Sequence, residues 1–359
     1  MRVAIRVDAS LAAGTGHVMR CRTLADVLRS HGATIQFICR AHLGNCMAAL
    51  RADGFEVAEL SPPSRNKQRL EREDHAEWLG ASQSDDAQET IAALNEGVDW
   101  LVVDHYGIGA DWQRKLSEHV GQIMVIDDLA NRQHICDLLL DQNYVDDIQG
   151  RYRRKVPAET KCLLGPKYAL LGPQYAALRQ VCGPSDGQVR RVFVFFGGTD
   201  LDNLTGMVLS ALEGLTLEDI AVDVVVGVNN PNHDALASRT SVMPRVRLHR
   251  SLPHLADLMA KADLAIGAGG MTTWERCCIG LPSLVVSIAE NQKPACEALA
   301  RDGIIEWAGH YRHLSESSLT EAIASVRESP SQVRRLGQAA RALVDGKGAQ
   351  RVVRQLMAN

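Results

Sequence analysis

The sequence predicts an α/β protein with two doubly wound parallel-sheet domains. Short β-branched runs alternate with amphipathic stretches, beginning with a strand at 3–8, a helix from about His17 and a strand at 33–39. The alternation restarts after 183–188, a segment rich in Gly, Pro, Ser and Asp that is typical of an interdomain linker. A chain of 359 residues with 46% hydrophobic content is also long enough for two cores.

The remaining elements follow the same rhythm. Further strands are predicted at 55–60, 100–105, 123–128 and 137–142, then at 191–197, 220–227, 245–250, 263–269 and 283–289. Residues 62–86 are charged with weak periodicity, which predicts a surface excursion or lid. We assign residues 1–182 to an N-terminal domain, 189–340 to a C-terminal domain and 341–359 to a final helix that could pack back on the first domain.

The composition argues against several classes of protein. The net charge of −4 has both signs spread along the chain, so no nucleic acid partner is expected. No apolar run approaches the roughly 18 to 20 residues of a membrane helix, and the N-terminus lacks a signal-peptide pattern, so we expect a cytoplasmic protein without an integral membrane segment. The nine scattered cysteines include no CxxC pair, which argues against a metal site or disulfides. The oligomeric state stays open.

The first predicted strand ends at Asp8, and a turn containing Gly14 and Gly16 then leads into a helix. Backbone N–H groups and the positive end of the helix dipole suit an anion or developing negative charge at such a turn. His17 lies in the first helical turn, where the dipole favours the neutral imidazole. A neutral imidazole can act as a base. The alternative is a structural histidine satisfied by local hydrogen bonds.

A second glycine turn follows the first strand of the second half. Gly197 and Gly198 end the strand, and Thr199 and Asn203 precede an amphipathic helix. Parallel sheets bind ligands at this edge, so the turn is a candidate phosphate cradle. An ordinary strand-to-helix turn is the alternative.

A third glycine turn comes after the strand at 263–269. Gly269 and Gly270 are followed by Met271 and Thr272 at a predicted helix start, and Glu275 lies in its first turn. The Glu275 carboxylate could accept two ribose hydroxyls, or it could only complement the helix dipole.

The strand at 283–289 ends beside three polar residues, Glu290, Asn291 and Gln292. Because parallel strands end at the same edge of a sheet, these side chains should lie near the third glycine turn. The amides of Asn291 and Gln292 could bind sugar hydroxyls, or the segment could cap the next helix.

These loops resemble those of the GT-B glycosyltransferases, in particular the lipid II-forming N-acetylglucosaminyltransferases. The resemblance is closer to the UDP-2,4-diacetamido-2,4,6-trideoxy-β-L-altropyranose hydrolases of pseudaminic acid biosynthesis. Their pattern RxDxxxxxGxGHxxRCxxLA is carried by Arg6, Asp8, Gly14, Gly16, His17, Arg20, Cys21, Leu24 and Ala25. Further matching segments are 102–107, 126–143, 165–171, FGGTDxxNLT and IAENQ. The turn GTGH lacks the doubled glycine of the transferases, which favours the hydrolase.

The resemblance implies two domains facing each other across a cleft, and release of UDP from a UDP-linked sugar on the way to a nonulosonic acid. It implies His17 as the base beside the anomeric carbon, with Asp8 orienting or polarising the water. Another predicted strand ends in Asp104, His105 and Tyr106, which could contact the sugar. Tyr106 is expected to make that contact, and packing at the edge of the core is the alternative for His105 and Tyr106. No metal or other cofactor is implied. A glycosyltransferase that passes the sugar to an acceptor, and a nucleotide-sugar sensor without turnover, are the alternatives.

Overall fold

The computed structural model describes residues 1–63, 75–215, 219–250, 252 and 254–358. The chain divides into two compact units. Unit 1 comprises Met1–Leu170 and Lys347–Asn359, and unit 2 comprises Leu171–Gly346. Among the described residues, none of the helices has the length and apolar character required to cross a membrane.

Unit 1 alternates strands and helices along the chain. Its strands are β1 (Arg2–Val7), β2 (Thr34–Arg40), β3 (Glu56–Leu60), β4 (Trp100–Asp104), β5 (Gln122–Ile126), β6 (Leu138–Asp141) and β7 (Lys161–Leu164). Its first four α-helices are α1 (Gly16–Ser30), α2 (Met47–Ala52), α3 (Gln83–Ala93) and α4 (Ala110–Leu116). Short 3-10 helices span Glu77–Leu79 and Pro166–Tyr168.

The unit 1 sheet is parallel, with the order β3-β2-β1-β4-β5-β6-β7. Helices cover both faces, which is why its central strands are almost continuously apolar. The strand order reverses between β1 and β4, and Val7 pairs with Asp104 at their carboxyl ends. Such a reversal leaves a crevice at the sheet edge where open α/β sheets bind ligands.

Unit 2 repeats this architecture. Its strands are β8 (Arg191–Phe195), β9 (Ala221–Val226), β10 (Val246–Arg250), β11 (Leu264–Ala268), β12 (Ser283–Ser287) and β13 (Glu306–His310). Its α-helices are α5 (Pro173–Val181), α6 (Leu204–Glu213), α7 (His233–Thr240), α8 (Ala256–Met259), α9 (Thr272–Ile279), α10 (Lys293–Arg301), α11 (Glu316–Arg327) and α12 (Pro330–Leu343). Short 3-10 helices span Glu290–Gln292 and Tyr311–His313. The parallel order is β10-β9-β8-β11-β12-β13, so the reversal lies between β8 and β11.

The last helix, α13 (Gly348–Met357), belongs to unit 1. Val352, Val353 and Leu356 are buried in the core that α1 also covers. Trp100 Nε1 donates a hydrogen bond to the Leu356 carbonyl at 3.0 Å. The apolar face of α13 is therefore part of the unit 1 core.

The boundary between the units differs from the predicted one at residue 182. Helix α5 packs on α9 in unit 2, and Arg179 Nη1 donates to the carbonyls of Cys278 and Val344 at 2.9 and 3.1 Å. The division therefore falls after Leu170. A segment rich in Gly and Pro marks a turn, but it does not tell which sheet the preceding helix packs against.

Every predicted strand is present, and two more were missed. Strand β7 has only four residues and β13 includes a glycine with positive φ, so neither gives a clear periodic signal. Within the predicted excursion at 62–86, residues 64–74 lie outside the described residues. Its last part is not an excursion, because α3 begins at Gln83 and Asp86 is fully buried.

Candidate functional site

His17 contacts a carboxylate that sequence reasoning did not pair with it. Its Nδ1 lies 2.7 Å from Oδ1 of Asp104, at the end of β4. The Asp104 side chain is fully buried, whereas the His17 side chain is 12% exposed. The distance from His17 Nδ1 to Asp104 is shorter than the 3.2 Å from the same nitrogen to Arg20 Nη2. We therefore assign a hydrogen to Nδ1, which donates it to the Asp104 carboxylate. In that tautomer the neutral ring keeps Nε2 free to accept a proton.

Arg20 holds the His17 partner in place from the next turn of α1. Its Nε and Nη2 donate to the two oxygens of Asp104 at 2.6 and 2.7 Å, and its Nη1 donates to Asp128 at 2.6 Å. Burial alone would raise the pKa of Asp104, but Arg20 and His17 hold it well below its usual range. Asp104 therefore stays ionised and can stabilise a protonated His17 ring.

Tyr106 completes this cluster. Its hydroxyl donates to Asp128 Oδ2 at 2.7 Å, and its ring meets that of His17 edge to face with centroids 4.5 Å apart. The ring of Trp78 stacks on that of Tyr106 with centroids 5.7 Å apart. Burial raises the pKa of Tyr106 well above its usual value, so the phenol stays neutral. The structure thus brings Tyr106 beside His17, while its contact with a sugar stays a prediction.

Asp8 has a different setting from the one expected of a residue that orients water. It is 4% exposed, and its Oδ1 accepts hydrogen bonds from Arg6 Nη1 at 2.6 Å and from the Arg40 backbone at 2.7 Å. Its Oδ2 has no hydrogen-bond partner among the described residues, although His105 Nε2 lies 3.4 Å away. Burial alone would raise the pKa of Asp8, but Arg6 holds it well below the usual range. Asp8 is therefore part of a buried ion network, and the carboxylate in contact with His17 is Asp104.

The turn before α1 leaves open space. Gly14 has a φ of +73°, and its N–H donates to the Ser10 carbonyl at 2.9 Å. A Cβ placed on Gly14 or Gly16 would meet no heavy atom of the described residues within 4 Å outside their chain neighbours. The start of α1 can therefore be approached closely by a ligand.

In unit 2, the helix after the Gly197–Gly198 turn is already capped. Asp200 accepts hydrogen bonds from the N–H groups of Leu204 and Thr205 at 2.9 Å each. Asn203, with a φ of +53°, accepts one from Gly206 at 3.2 Å. The predicted ligand contact Asn203 is thus the N-cap of α6. Because these N–H groups are taken, the α6 start is a poor phosphate cradle.

Three other residues of this turn were also predicted to bind. Gly197 has a φ of +96° with open space around it, and Thr199 lies half-buried in the turn. A Cβ on Gly227 would come within 2.1 Å of the Gly198 carbonyl oxygen, so two backbones approach closely here. The space around Gly197 is open, whereas Gly198 packs closely against the backbone of Gly227.

The third turn has the features of an anion site. After Gly269, Gly270 and Met271, helix α9 begins at Thr272, and no described side chain caps it. A Cβ on Gly269 would clash with Cys296 Sγ at 2.5 Å, and one on Gly270 would lie 3.7 Å from Gln292 Nε2. The α9 start thus has no side-chain cap among the described residues, although the N–H groups of Thr273 and Trp274 donate to the carbonyls of Gly270 and Met271 at 2.9 and 3.1 Å.

Glu275 lies in the first turn of α9 and is half-buried. Burial raises its pKa to about 7, although a hydrogen bond from the Tyr175 hydroxyl of α5 favours the ionised form. Its Oε2 has no hydrogen-bond partner among the described residues. This carboxylate oxygen is thus buried with its hydrogen-bonding capacity unused.

The predicted polar trio lies in the 3-10 helix that follows β12. Gln292 Oε1 accepts from the Ile288 N–H at 2.9 Å, which holds its amide beside the third glycine turn. Glu290 pairs with Lys293 at 2.7 Å and lies 3.4 Å from His310 Nε2. Asn291 lies between Glu290 and Gln292 in the chain. The structure therefore brings Gln292 to Gly269 and Gly270, as parallel strands predict.

Sequence reasoning gave no role to Asp104, Arg20 or Asp128 in the His17 cluster. Arg20 follows His17 by three residues, so both share one face of α1, which is a signal that helical periodicity offers. Asp104 ends β4 and Asp8 directly follows β1, but only the order of the strands decides which of them meets His17. Among the described residues, no group of three or more His, Cys, Asp or Glu side chains is arranged to hold a metal ion.

The chain was compared with known proteins. Residues 191–354 match the model of the glycosyltransferase family 28 C-terminal domain. The spore coat polysaccharide biosynthesis protein SpsG of Bacillus subtilis (strain 168) is 27% identical over 98% of this chain and 96% of its own length. The UDP-2,4-diacetamido-2,4,6-trideoxy-β-L-altropyranose hydrolase of Campylobacter jejuni is 23% identical over 84% of this chain and 97% of its own.

Among solved structures, the spinosyn rhamnosyltransferase SpnG complexed with thymidine diphosphate has a TM-score of 0.64 at 19% identity, covering 99% of this chain and 100% of its own. This likeness confirms the predicted GT-B fold with its two parallel-sheet α/β domains. The matches support, as a general class, an enzyme of nucleotide-sugar chemistry. They fit a hydrolase and a glycosyltransferase equally well.

Proposed function

We propose that this chain hydrolyses a UDP-linked 2,4-diacetamido-2,4,6-trideoxyhexose and releases UDP and the free sugar for nonulosonic (pseudaminic) acid synthesis. The observation that carries the proposal is the hydrogen bond between His17 and Asp104, which leaves an imidazole nitrogen free beside an open glycine turn. The sequence pattern around His17 and the relative with this activity in Campylobacter jejuni support the same assignment.

In the proposed reaction, a water oxygen attacks the anomeric carbon, and the bond from that carbon to the diphosphate oxygen breaks. The water gives its proton to His17 Nε2, and the bonding electrons leave with UDP. Asp104 stabilises the imidazolium that forms, as an ionised carboxylate at 2.7 Å can. UDP is a good leaving group at neutral pH, so positioning of water and stabilisation of the diphosphate are the main requirements.

Unit 2 is proposed to bind the nucleotide. The uncapped start of α9, with Gly269 and Gly270 before it, would hold the diphosphate, and Glu275 would accept hydrogen bonds from the ribose hydroxyls. Gly197, Gly198 and Thr199 would line the other turn at this sheet edge. Within unit 1, Tyr106 is the candidate for a contact with the sugar. Within unit 2, the Glu290–Gln292 segment is the candidate for contacts with ligand hydroxyls.

A glycosyltransferase is the second candidate, because the family 28 C-terminal domain model matches residues 191–354. In that reaction an acceptor hydroxyl would take the place of water, and the same base would deprotonate it. The two candidate functions differ in one measurable way, because only the glycosyltransferase requires an added acceptor.

The test is to incubate the protein with a panel of UDP-sugars in ¹⁸O-labelled water and to follow UDP release without acceptor. We expect release from the 2,4-diacetamido-trideoxyhexose donor, with the label in the free sugar. Release that requires an added sugar or lipid would support the transferase instead. Binding of the UDP-sugar without turnover would point to a sensor.

His17→Ala and His17→Asn should lower kcat by about 10² to 10⁴ and leave UDP affinity nearly unchanged. His31→Ala, at the other end of α1, is the matched control and should keep full activity. The activity should survive EDTA, because backbone donors meet the diphosphate charge. Loss on chelation that Mg²⁺ restores would contradict this part of the proposal.

A further inference from the structure

Arg276 is a buried cation whose hydrogen-bonding capacity is only partly used. It lies on α9 and is 1% exposed. Its Nη2 donates to the Ala268 carbonyl and to Thr273 Oγ1 at 2.9 Å each, and both partners are neutral. Its Nε and Nη1 have no hydrogen-bond partner within the part of the chain that the structure describes.

The guanidinium lies at the point where the strand order of unit 2 reverses. Its Nη1 is 2.9 Å from the position that a Cβ on Gly267 would occupy, so the absence of a side chain at Gly267 makes room for it. Gly267 pairs with Phe195 across β11 and β8, the two strands between which the order reverses. Ligands of open α/β sheets bind outside the carboxyl ends of such strands.

A buried charge is costly unless something compensates it. Burial lowers the pKa of Arg276 below its ordinary value, and the neighbouring Glu275 is itself shifted toward its neutral form, with a pKa of about 7. Both hydrogen-bond partners of Arg276 are neutral, so its charge has no direct ionic partner among the described residues. An anion at the turn between β11 and α9, where Arg276 binds the Ala268 carbonyl and no described side chain caps the helix, would supply it.

We propose that Arg276 makes the third glycine turn selective for a diphosphate, by fixing the turn through Ala268 and Thr273 and by placing a positive charge beneath it. Arg276 is a positioning residue that acts through the turn, since its own nitrogens are buried. The inference rests on the proposed function in one respect, the binding of a UDP-linked substrate to unit 2. In the low-dielectric interior of a protein, a buried charge interacts strongly with a nearby anion.

The experiment measures the affinity of the whole protein for UDP, UMP, uridine and inorganic pyrophosphate by calorimetry. Arg276→Met should weaken UDP and pyrophosphate binding by about 10- to 100-fold. Uridine affinity should stay within about two-fold of the unmodified protein. Arg276→Lys, which keeps the charge, should recover part of the UDP affinity. Arg239→Met, which removes a half-exposed unit 2 arginine paired with Glu213, is the control and should change none of these affinities.

Equal loss of uridine and UDP binding would overturn the proposal, because a purely structural role would affect both. Unchanged UDP affinity in a folded Arg276→Met protein would overturn it too. If that variant does not fold, the test uses the Tm of the unmodified protein. Pyrophosphate should raise this Tm more than chloride of equal ionic strength does. Equal effects of the two salts would contradict the proposal.

These readouts are independent of turnover, so failure of the proposed function is distinguishable. Diphosphate selectivity that depends on Arg276 in a protein that hydrolyses no UDP-sugar would leave the inference standing and overturn the function. Hydrolysis of the UDP-sugar by the unmodified protein, together with unchanged UDP affinity in Arg276→Met, would support the function and overturn the inference.

Discussion

Nδ1 of His17 and Oδ1 of Asp104 lie 2.7 Å apart and join the start of α1 to the end of β4. The register of the sheet sets this distance, because Val7, the last residue of β1, pairs directly with Asp104. The turn that leaves β1 therefore carries His17 to a carboxylate 87 residues away in the chain. The proposed base thus depends on the neighbouring strand as much as on its own loop.

Asp104→Asn tests this dependence. We expect kcat to fall by about 10² to 10⁴, because an amide cannot stabilise the imidazolium and can turn an N–H toward Nδ1. UDP affinity should stay nearly unchanged, since the nucleotide is assigned to unit 2. Steady-state kinetics and calorimetry measure both quantities, and circular dichroism shows whether the variant is folded.

Asp53→Asn is the matched control, because that carboxylate pairs with Arg22 at 2.8 Å on a partly exposed surface of the same unit. Its kcat should equal that of the unmodified protein. A folded Asp104→Asn protein with near-normal kcat would remove the support for an Asp104-assisted base.

The sequence predicts the position of His17 at a helix start, but it does not identify Asp104 as its partner. A glycine turn that enters a helix marks His17 locally, and short-range signals of that kind can be read from one chain. Asp104 and Asp8 both follow apolar strand residues and look equivalent in sequence. Only the placement of β4 beside β1 tells them apart, and strand order depends on long-range packing.

Asn203 shows a second limit. An asparagine before a helix can bind a ligand or cap the helix, and both uses need the same residue at the same position. The structure decides for the cap, because Asp200 and Asn203 together accept hydrogen bonds from the first N–H groups of α6. At the third turn the structure has the local order that the sequence predicts, because β11, the two glycines and the start of α9 follow one another directly.

Asp8→Asn separates a structural role from the predicted role in orienting water. We expect the free energy of unfolding to fall by about 3 kcal/mol, because the buried Arg6 loses part of its compensation. Urea unfolding measures this loss. The kcat of the folded fraction should stay within a few-fold of the unmodified protein. A large loss of kcat at unchanged stability would restore Asp8 as the residue that orients the water.

Asp141→Asn should change how stability depends on pH. The Tyr152 hydroxyl lies 3.0 Å from both Asp127 Oδ2 and Asp141 Oδ2, and its single proton can serve only one of them. Burial raises the pKa of Asp141 from 3.8 to about 7, so the folded protein keeps a proton that the unfolded chain releases. The unmodified protein therefore loses stability as pH rises from 3.8 to about 7.

Asparagine cannot ionise, so the Tm of Asp141→Asn relative to the unmodified protein should increase with pH across this window. Thermal melts below pH 3.8 and above pH 7 measure the difference. Asp147→Asn, an exposed carboxylate that accepts a hydrogen bond from the Gly150 backbone, should show no such trend. A Tm difference for Asp141→Asn that does not vary with pH would contradict the shared-proton arrangement.

Glu275 should make nucleoside binding depend on pH. Burial raises its pKa to about 7, so the carboxyl is neutral in mild acid and ionised above that pH. The ionised carboxylate accepts hydrogen bonds from ribose hydroxyls more strongly than the neutral carboxyl group does. We therefore expect uridine affinity to rise as pH increases through about 7, and to be about ten-fold lower one pH unit below this value than at the plateau. Uridine is the ligand to use, because it has no phosphate that titrates in this range.

Two variants show whether Glu275 causes the trend. Glu275→Gln should bind uridine weakly and without pH dependence near neutrality, since an amide does not ionise. Tyr175→Phe removes the hydrogen bond that favours the ionised form, so the midpoint of the uridine titration should move to higher pH. Calorimetric titrations at a series of pH values measure both effects. If the unmodified protein binds uridine equally well on both sides of neutrality, Glu275 does not bind the ribose in its ionised form, and the nucleotide assignment in unit 2 must rest on the α9 turn alone.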